Sequence, residues 1–218
     1  RRYMLTQKAR LVARSSNLVC GSILDIGTGT GYFINKMKED GWKVSAIEKS
    51  PKAREFAKEH FGIDVKTPDY LFSIKDSSFD VITLWHVMEH LEQLDRTWDT
   101  INRILKDSGV LIVAVPNCDS YDAQKYQELW AAYDVPRHIW HFSPLTINSI
   151  GKKHGFVLEE RYPMPFDAFY VSMLTEKYKK NSFSFVRGFI TGAKAWLSCL
   201  SSKDKSSSMI YIFRKKQL

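Results

Sequence analysis

The chain has only three cysteines, Cys20, Cys118 and Cys199, and their spacing shows no pairing. That excludes a disulfide framework and a cysteine-based zinc site, and it suits a reducing compartment. The longest wholly apolar run, Val110 to Val115, is far too short to span a bilayer, and no cleavable signal is visible, so a cytoplasmic protein is expected. The chain opens on Arg1 rather than Met, which leaves room for an upstream segment. Internal repeats, low-complexity tracts and any known nucleic-acid-binding module are also missing. What remains is a chain of 218 residues, long enough for one substantial core, in which short apolar runs alternate with helical stretches. That alternation points to an α/β architecture with a mostly parallel sheet.

The most telling segment is Ser22 to Gly31, Ser-Ile-Leu-Asp-Ile-Gly-Thr-Gly-Thr-Gly. Ile23, Leu24 and Ile26 read as a buried parallel strand. Gly27, Gly29 and Gly31 let the backbone turn sharply and approach a ligand closely. The run Tyr32 to Met37 then opens a helix whose N-terminal amides face the turn. A dinucleotide fingerprint, Gly-x-Gly-x-x-Gly, counted from Gly27 needs a glycine where Tyr32 stands, so that pattern fails. Asp25 would also repel a pyrophosphate, whereas it suits an ammonium or polarised amides.

Leu24 to Gly31 resembles the first motif of the class I S-adenosylmethionine-dependent methyltransferases, whose cofactor has no phosphate and carries an amino-acid end. The resemblance implies a Rossmann-like doubly wound α/β fold with a seven-stranded sheet, mostly parallel with an antiparallel last strand. Lys43 to Ile47 reads as the second strand, and Glu48, about twenty residues past the turn, stands where a ribose-binding carboxylate belongs. Its bland alternative is an ordinary solvated acid after a strand. Ser50 and Pro51 read as the N-cap and first position of a helix. Ile63-Asp64-Val65 is the expected third strand, followed by Asp69, with Asp64 as fallback, as the acid that meets the adenine amino group. Phe79 to Leu84 is the fourth strand, with Trp85 and His86 at its carboxyl end facing the reactive half of the cofactor. Lys106 to Gly109 reads as a turn and Val110 to Asn117 as a fifth, fully buried strand. Over roughly residues 20–160 the motifs follow the family's order. The implied cofactor-binding set is Asp25, Gly27, Thr28, Gly29, Gly31, Tyr32, Phe33, Glu48, Lys49, Asp69, Tyr70, Trp85 and His86.

Beyond Pro116 the aromatic-rich stretch Tyr121 to Tyr133 and the run Tyr133 to Pro144 are expected to lie over the methyl-donor pocket and to contact the acceptor. The Pro-Arg-His-x-x-His-Phe-Ser-Pro arrangement resembles a subgroup of bacterial-type methyltransferases associated with surface glycans, lipids or other small metabolites. His138 and His141 are catalytic candidates, because a histidine titrating near neutrality can take a proton from an acceptor hydroxyl or amine. Equally, both could fix the loop before Ser143, an N-cap with Pro144 behind it. His86 is a further base candidate or an aromatic beside the sulfonium, and Glu89-His90 reads as a packing and loop-ordering motif. No metal site is expected, since His138 and His141 lack a third ligand nearby in sequence. Trp85-His86-Val87-Met88 replaces the Asn/Asp-Pro-Pro-Tyr type of motif used for amide and base N-methylation, which favours O-methylation.

A helix over Leu145 to His154, stopped at Gly155, leads to a sixth strand, Phe156 to Tyr162, and the last strand is Ser208 to Arg214. Between them, Phe185, Val186, Phe189, Ile190, Ala193, Trp196, Leu197 and Leu200 recur at helical spacing within Phe183 to Leu200. They read as a face packed on the core or on a partner copy, with a substrate lid or a membrane-surface helix as alternatives. An N-terminal helix, Tyr3 to Arg14, could close the cofactor pocket through Tyr3, Lys8 or Arg10. The expected organisation is one methyltransferase domain over residues 1–218: helix 1–19, cofactor-binding core 20–162, helical insertion or lid 163–206 and last strand 207–218.

The net charge of +8 is concentrated at the two ends, in Arg1, Arg2, Lys8, Arg10 and Arg14 and in Lys177, Lys179, Lys180, Arg214, Lys215 and Lys216. Solvated basic faces or attraction to an anionic lipid, glycan-lipid or membrane surface follow from this, and no nucleic-acid partner is expected. The expected acceptor is a small molecule, lipid or glycan, and the oligomeric state is open. Two other readings stand beside this one: a non-catalytic S-adenosylmethionine-binding scaffold, and an NAD-dependent oxidoreductase, which the glycine spacing and Asp25 disfavour.

Overall fold

The computed structural model describes residues 2–179 and 183–216, so Arg1 and Lys180 of the basic ends lie outside the described residues. Strand β1 (Ser22–Ile26) is buried on both faces, with Leu24 and Ile26 in one core and Ile23 in the other, as the two-residue period of a central strand requires. It pairs in parallel with β2 (Lys43–Ile47) and with β3 (Phe79–Trp85), and β3 pairs in parallel with β4 (Leu105–Pro116). Strand β5 (Phe156–Pro163) pairs with β6 (Ser208–Lys215), which runs antiparallel to both β5 and β4. The sheet order is β2-β1-β3-β4-β6-β5.

Helices cover both faces. On one lie α1 (Arg2–Ser16), α2 (Tyr32–Glu39) and α3 (Pro51–Phe61), which bury Val12, Ile34 and Ala57 against Ile23, Val81 and Ile112. On the other, α4 (Leu94–Ile104) and, beyond the short α5 (Tyr121–Tyr126), α6 (Pro144–Lys153) bury Trp98, Ile101 and Ile147. The sequence signals at helix starts hold. Ser50 Oγ accepts from the Ala53 amide with Pro51 behind it, and Ser143 and Thr146 form a reciprocal capping box at α6.

The sheet has six strands rather than seven. Ile63 and Val65 are buried and Asp64 is exposed, so the alternation is real, yet the segment makes only one bridge, Ile47 to Lys66. Gly62, with φ +61°, ends α3 just before it, and Pro68 turns the chain into a 3-10 segment, Pro68–Ser73, just after. The five residues between the two breakers meet β2 only at Lys66, whose amide donates to Ala46 O and whose carbonyl accepts from the Glu48 amide, so no ladder extends along the segment. The expected turn at Lys106 to Gly109 is instead an irregularity within β4. Phe79 pairs with Leu105 and Val81 with Val110, so residues 106–109 bulge opposite Asp80.

Between β5 and β6 stand α7 (Asp167–Tyr178) and α8 (Ser184–Ser201), packed on each other. The large apolar residues of α8 do not face the core: Phe185, Val186, Phe189, Ile190, Trp196, Leu197 and Leu200 are all exposed. The buried face is made of Gly188, Thr191, Gly192 and Ala195. A Cβ at Gly188 would stand 2.5 Å from Met173 Cα, and one at Gly192 would stand 2.7 Å from Phe169 Cα. The hairpin therefore closes backbone on backbone through small residues, and this turns the bulky ones outward.

Candidate active site

The site is built at the carboxyl ends of β1, β2 and β3, around the glycine turn. Gly27, Gly29 and Gly31 have φ of +71°, +56° and +82°, a region that costs a side-chain-bearing residue energy. Their surroundings divide the labour. A Cβ at Gly27 would lie 2.3 Å from Val87 Cγ2 and one at Gly31 would lie 2.9 Å from Ala57 Cβ, whereas Gly29 has nothing within 4 Å. Gly27 and Gly31 are needed for packing, and Gly29 borders the open space that a ligand can enter.

Glu48 locks the turn to β2. One carboxylate oxygen accepts from the Gly29 amide at 2.8 Å and the other from the Ser50 amide at 2.8 Å. Asp25 is buried and accepts from Thr83 Oγ1 at 2.6 Å. Burial raises its pKa to about 6, against the pull of the Thr83 and Thr28 hydroxyls and the attraction of Lys8. Lys8 reaches in from α1, 4.1 Å over the Trp85 ring, and burial lowers its pKa against the pull of Asp25 and Asp167.

His86 leaves the end of β3 with φ +57°, its amide donating to Ala114 O at 2.9 Å. Its Nδ1 lies 3.6 Å from Glu89 Oε1 and its Nε2 lies 3.5 Å from Asp167 Oδ2. Burial opposes the charge, but the two carboxylates outweigh it and carry the imidazole to about 9. This setting favours the imidazolium, a form that donates a proton and does not take one.

His138 and His141 both serve the loop over residues 134–142. His138 Nδ1 lies 2.8 Å from Ala132 O and His141 Nε2 lies 3.0 Å from Tyr133 O. The loop docks on the chain after β3. Glu89 O accepts from the Ile139 and Trp140 amides, and His90 Nδ1 lies 2.9 Å from Arg137 O. In space His138 gathers with two other donors and not with His141: atoms of Glu89, His90 and His138 all lie within 4.8 Å of one another. Beyond the 3.6 Å approach of His86, both oxygens of the buried Glu89 lack a hydrogen-bond partner, and among the described residues this is a group of side chains that could hold a divalent cation.

Of the remaining expected contacts, Phe33 packs edge-on against Trp85 with ring centroids 5.5 Å apart. Tyr32 is turned to Phe56 and Phe61 between α2 and α3. Lys49 is exposed beside Glu92, and Asp69 and Tyr70 are exposed on the 3-10 segment past the β2 edge. Two residues escaped the sequence reading. Thr83 was visible as a lone hydroxyl in an apolar strand, but Asp167 gave no local signal, because its role depends on how the segment after β5 returns to β3.

A cavity of about 510 Å³ adjoins this centre, lined by Met4, Leu11, Met164 and Phe166 with Lys8 and Asp167 shared between the two. Near the glycine turn the buried Trp85 Nε1 has no hydrogen-bond partner. That free donor, the Asp25 carboxylate and the space at Gly29 suit a cofactor with an amino-acid end and a ribose.

Residues 1–161 match the sequence profile of the methyltransferase domain family, and the chain belongs to that family. It is 34% identical over 112 residues to the mitochondrial ubiquinone biosynthesis O-methyltransferase of Schizosaccharomyces pombe, covering 47% of this chain and 41% of that protein. It is 25% identical over 143 residues to the malonyl-[acyl-carrier protein] O-methyltransferase of Serratia marcescens, covering 63% and 54%. The matched region thus spans about half the length of these relatives. The fold is shared with a SAM-dependent methyltransferase from Archaeoglobus fulgidus, with TM-score 0.61, 20% identity, and 97% and 94% of the two chains covered. It is shared too with Haemonchus contortus phosphoethanolamine N-methyltransferase 2 in complex with S-adenosyl-L-methionine, with TM-score 0.63, 19% identity, and 97% and 53% covered. The chain is thus a methyltransferase domain with the class I fold of these S-adenosylmethionine-dependent enzymes.

Proposed function

We propose that the chain O-methylates a small acceptor with an apolar body and an anionic group, held in the cavity between α1 and the segment that joins β5 to α7. The observation that carries this reading is the composition of that cavity. Met4, Leu11, Met164 and Phe166 provide apolar walls, Arg10 and Arg14 add cations, and Lys8 and Asp167 stand at the boundary with the glycine turn. Such a lining favours an apolar metabolite or lipid-like acid over a bare glycan. The relatives that carry O-methyltransferase names support the choice of oxygen.

S-Adenosylmethionine supplies a methyl group on a positively charged sulfur, already a good leaving group. The protein's tasks are alignment, exclusion of water and removal of one proton. Asp25 and Glu48, with the Gly29 turn, bind and orient the cofactor. The ring of Trp85, wedged between Phe33 and the Lys8 ammonium, walls off solvent. Asp167, on the cavity wall, accepts the acceptor's hydroxyl proton while the His86 imidazolium holds its carboxylate in place.

The test is methyl transfer from labelled cofactor to a panel of hydroxylated acceptors, with and without an apolar body and a carboxylate. Leu11→Trp, which fills the cavity, should raise the acceptor KM with the cofactor Kd unchanged. Asp167→Asn should lower kcat roughly 10²-fold or more. Turnover restricted to bare sugars, or a Leu11→Trp variant with unaltered KM, refutes the reading.

A further inference from the structure

Helix α8 divides into three sectors. Its glycine and alanine seam faces α7, a wide arc holding Phe185, Phe189, Trp196, Leu197 and Leu200 faces outward, and Arg187 and Lys194 stand along one border of that arc. An exposed apolar strip that runs the length of an 18-residue helix far exceeds the isolated surface leucines that need no explanation. The apolar surface continues onto α7, since the Phe169 and Phe189 rings lie 5.4 Å apart and Tyr170 is 67% exposed.

We infer that this face is a membrane-docking surface, on which α8 lies in the plane of an anionic bilayer with its arc among the acyl chains. Charge selects this occupant. No residue of α8 is acidic, its charged residues are both cations, and Lys177, Lys179 and Lys203 stand exposed at the adjoining helix ends. Two copies meeting face to face would bring these like charges together, whereas anionic headgroups pair with them. Trp196 sits on the arc, a residue type at home where an apolar ring meets headgroups. No described helix is long and apolar enough to cross a membrane, so α8 lies on the surface of the bilayer and does not span it. Docking on this face does not depend on which acceptor is methylated.

The test is co-sedimentation of the full chain with phosphatidylcholine vesicles, with and without phosphatidylglycerol, alongside sedimentation velocity in the absence of lipid. The wild type should partition onto the anionic vesicles. Phe185→Ser combined with Leu197→Ser should weaken this roughly tenfold or more. Arg187→Gln and Lys194→Gln should each weaken it roughly fivefold on anionic vesicles, with little change on neutral ones. All four positions are at least partly exposed, so thermal melting should be unchanged, and the two charge variants keep the test valid should the apolar pair unfold. Three results overturn the inference: no partitioning by the wild type, partitioning indifferent to these substitutions, or self-association without lipid that the apolar pair abolishes.

Discussion

Replacing Asp25 with asparagine should make the ligand-free protein more stable at neutral pH while it destroys cofactor binding. Asp25 is 2% exposed and burial lifts its carboxyl from 3.8 to about 6. At about 1.4 kcal/mol for each tenfold change in proton affinity, holding it ionised at pH 7 costs the folded state about 3 kcal/mol. The sign follows from the elevation. Protonated Asp25 favours the fold below pH 3.8, and that contribution is lost as pH rises through about 6. The asparagine side chain keeps an oxygen for the Thr83 hydroxyl and carries no charge. Lys8 loses one of its two attracting carboxylates but retains Asp167, which trims the gain. A net stabilisation of about 1–2 kcal/mol at pH 7 remains, equivalent to roughly 2–8 °C in Tm for a chain of this size. Thermal melts of both proteins from pH 4 to 7.5 should diverge as pH rises, and calorimetry should show the variant's affinity for S-adenosylmethionine lost. A variant that melts lower than wild type at pH 7, or a difference independent of pH, would mean that burial does not strain the ionised Asp25.

The two glycines of the turn should fail differently. Gly27→Ala clashes with Val87 and should cost about 3 kcal/mol or more in denaturant unfolding. Gly29→Ala meets no atom, so it should cost about 1 kcal/mol yet weaken cofactor binding at least tenfold in calorimetry. Because Asp167 and Glu89 outweigh burial and hold His86 at about 9, kcat/KM should stay level through neutrality and fall as pH rises through about 9, with His86→Gln abolishing that limb. The same elevation makes the contribution of His86 to stability full below pH 6.5 and lost through about 9, which melts of wild type and His86→Gln should reproduce.

What the sequence made legible is local. The strand-turn-helix from Ser22 to Met37, the cap at Ser50 and the capping box at Ser143 are each written in a few adjacent residues whose conformational preferences agree. Glu48 could be placed because a strand ends directly before it. The third strand failed where two breakers closed on a short alternating run, an outcome set by how many hydrogen bonds the segment can reach. The helix at 184–201 is legible in the sequence, which leaves open whether its apolar stripe faces the core or the outside. Hydrophobic periodicity reveals a stripe and is silent on whether bulk or smallness meets the neighbour, and here Gly188 and Gly192 take the inner side. The histidines show the same limit. His86 gains its partners from Glu89 and from Asp167, and His138 meets Glu89 and His90 only through the docking of the 134–142 loop.

Calorimetric titration of the wild type and Glu48→Ala with S-adenosylmethionine, S-adenosylhomocysteine and NAD decides whether the Asp25, Gly29 and Glu48 turn holds S-adenosylmethionine. The wild type should bind the first two and not NAD, and Glu48→Ala, which frees the Gly29 and Ser50 amides, should bind them at least tenfold more weakly. Equal affinity in the variant, or binding of NAD alone, would mean that the turn does not hold this cofactor.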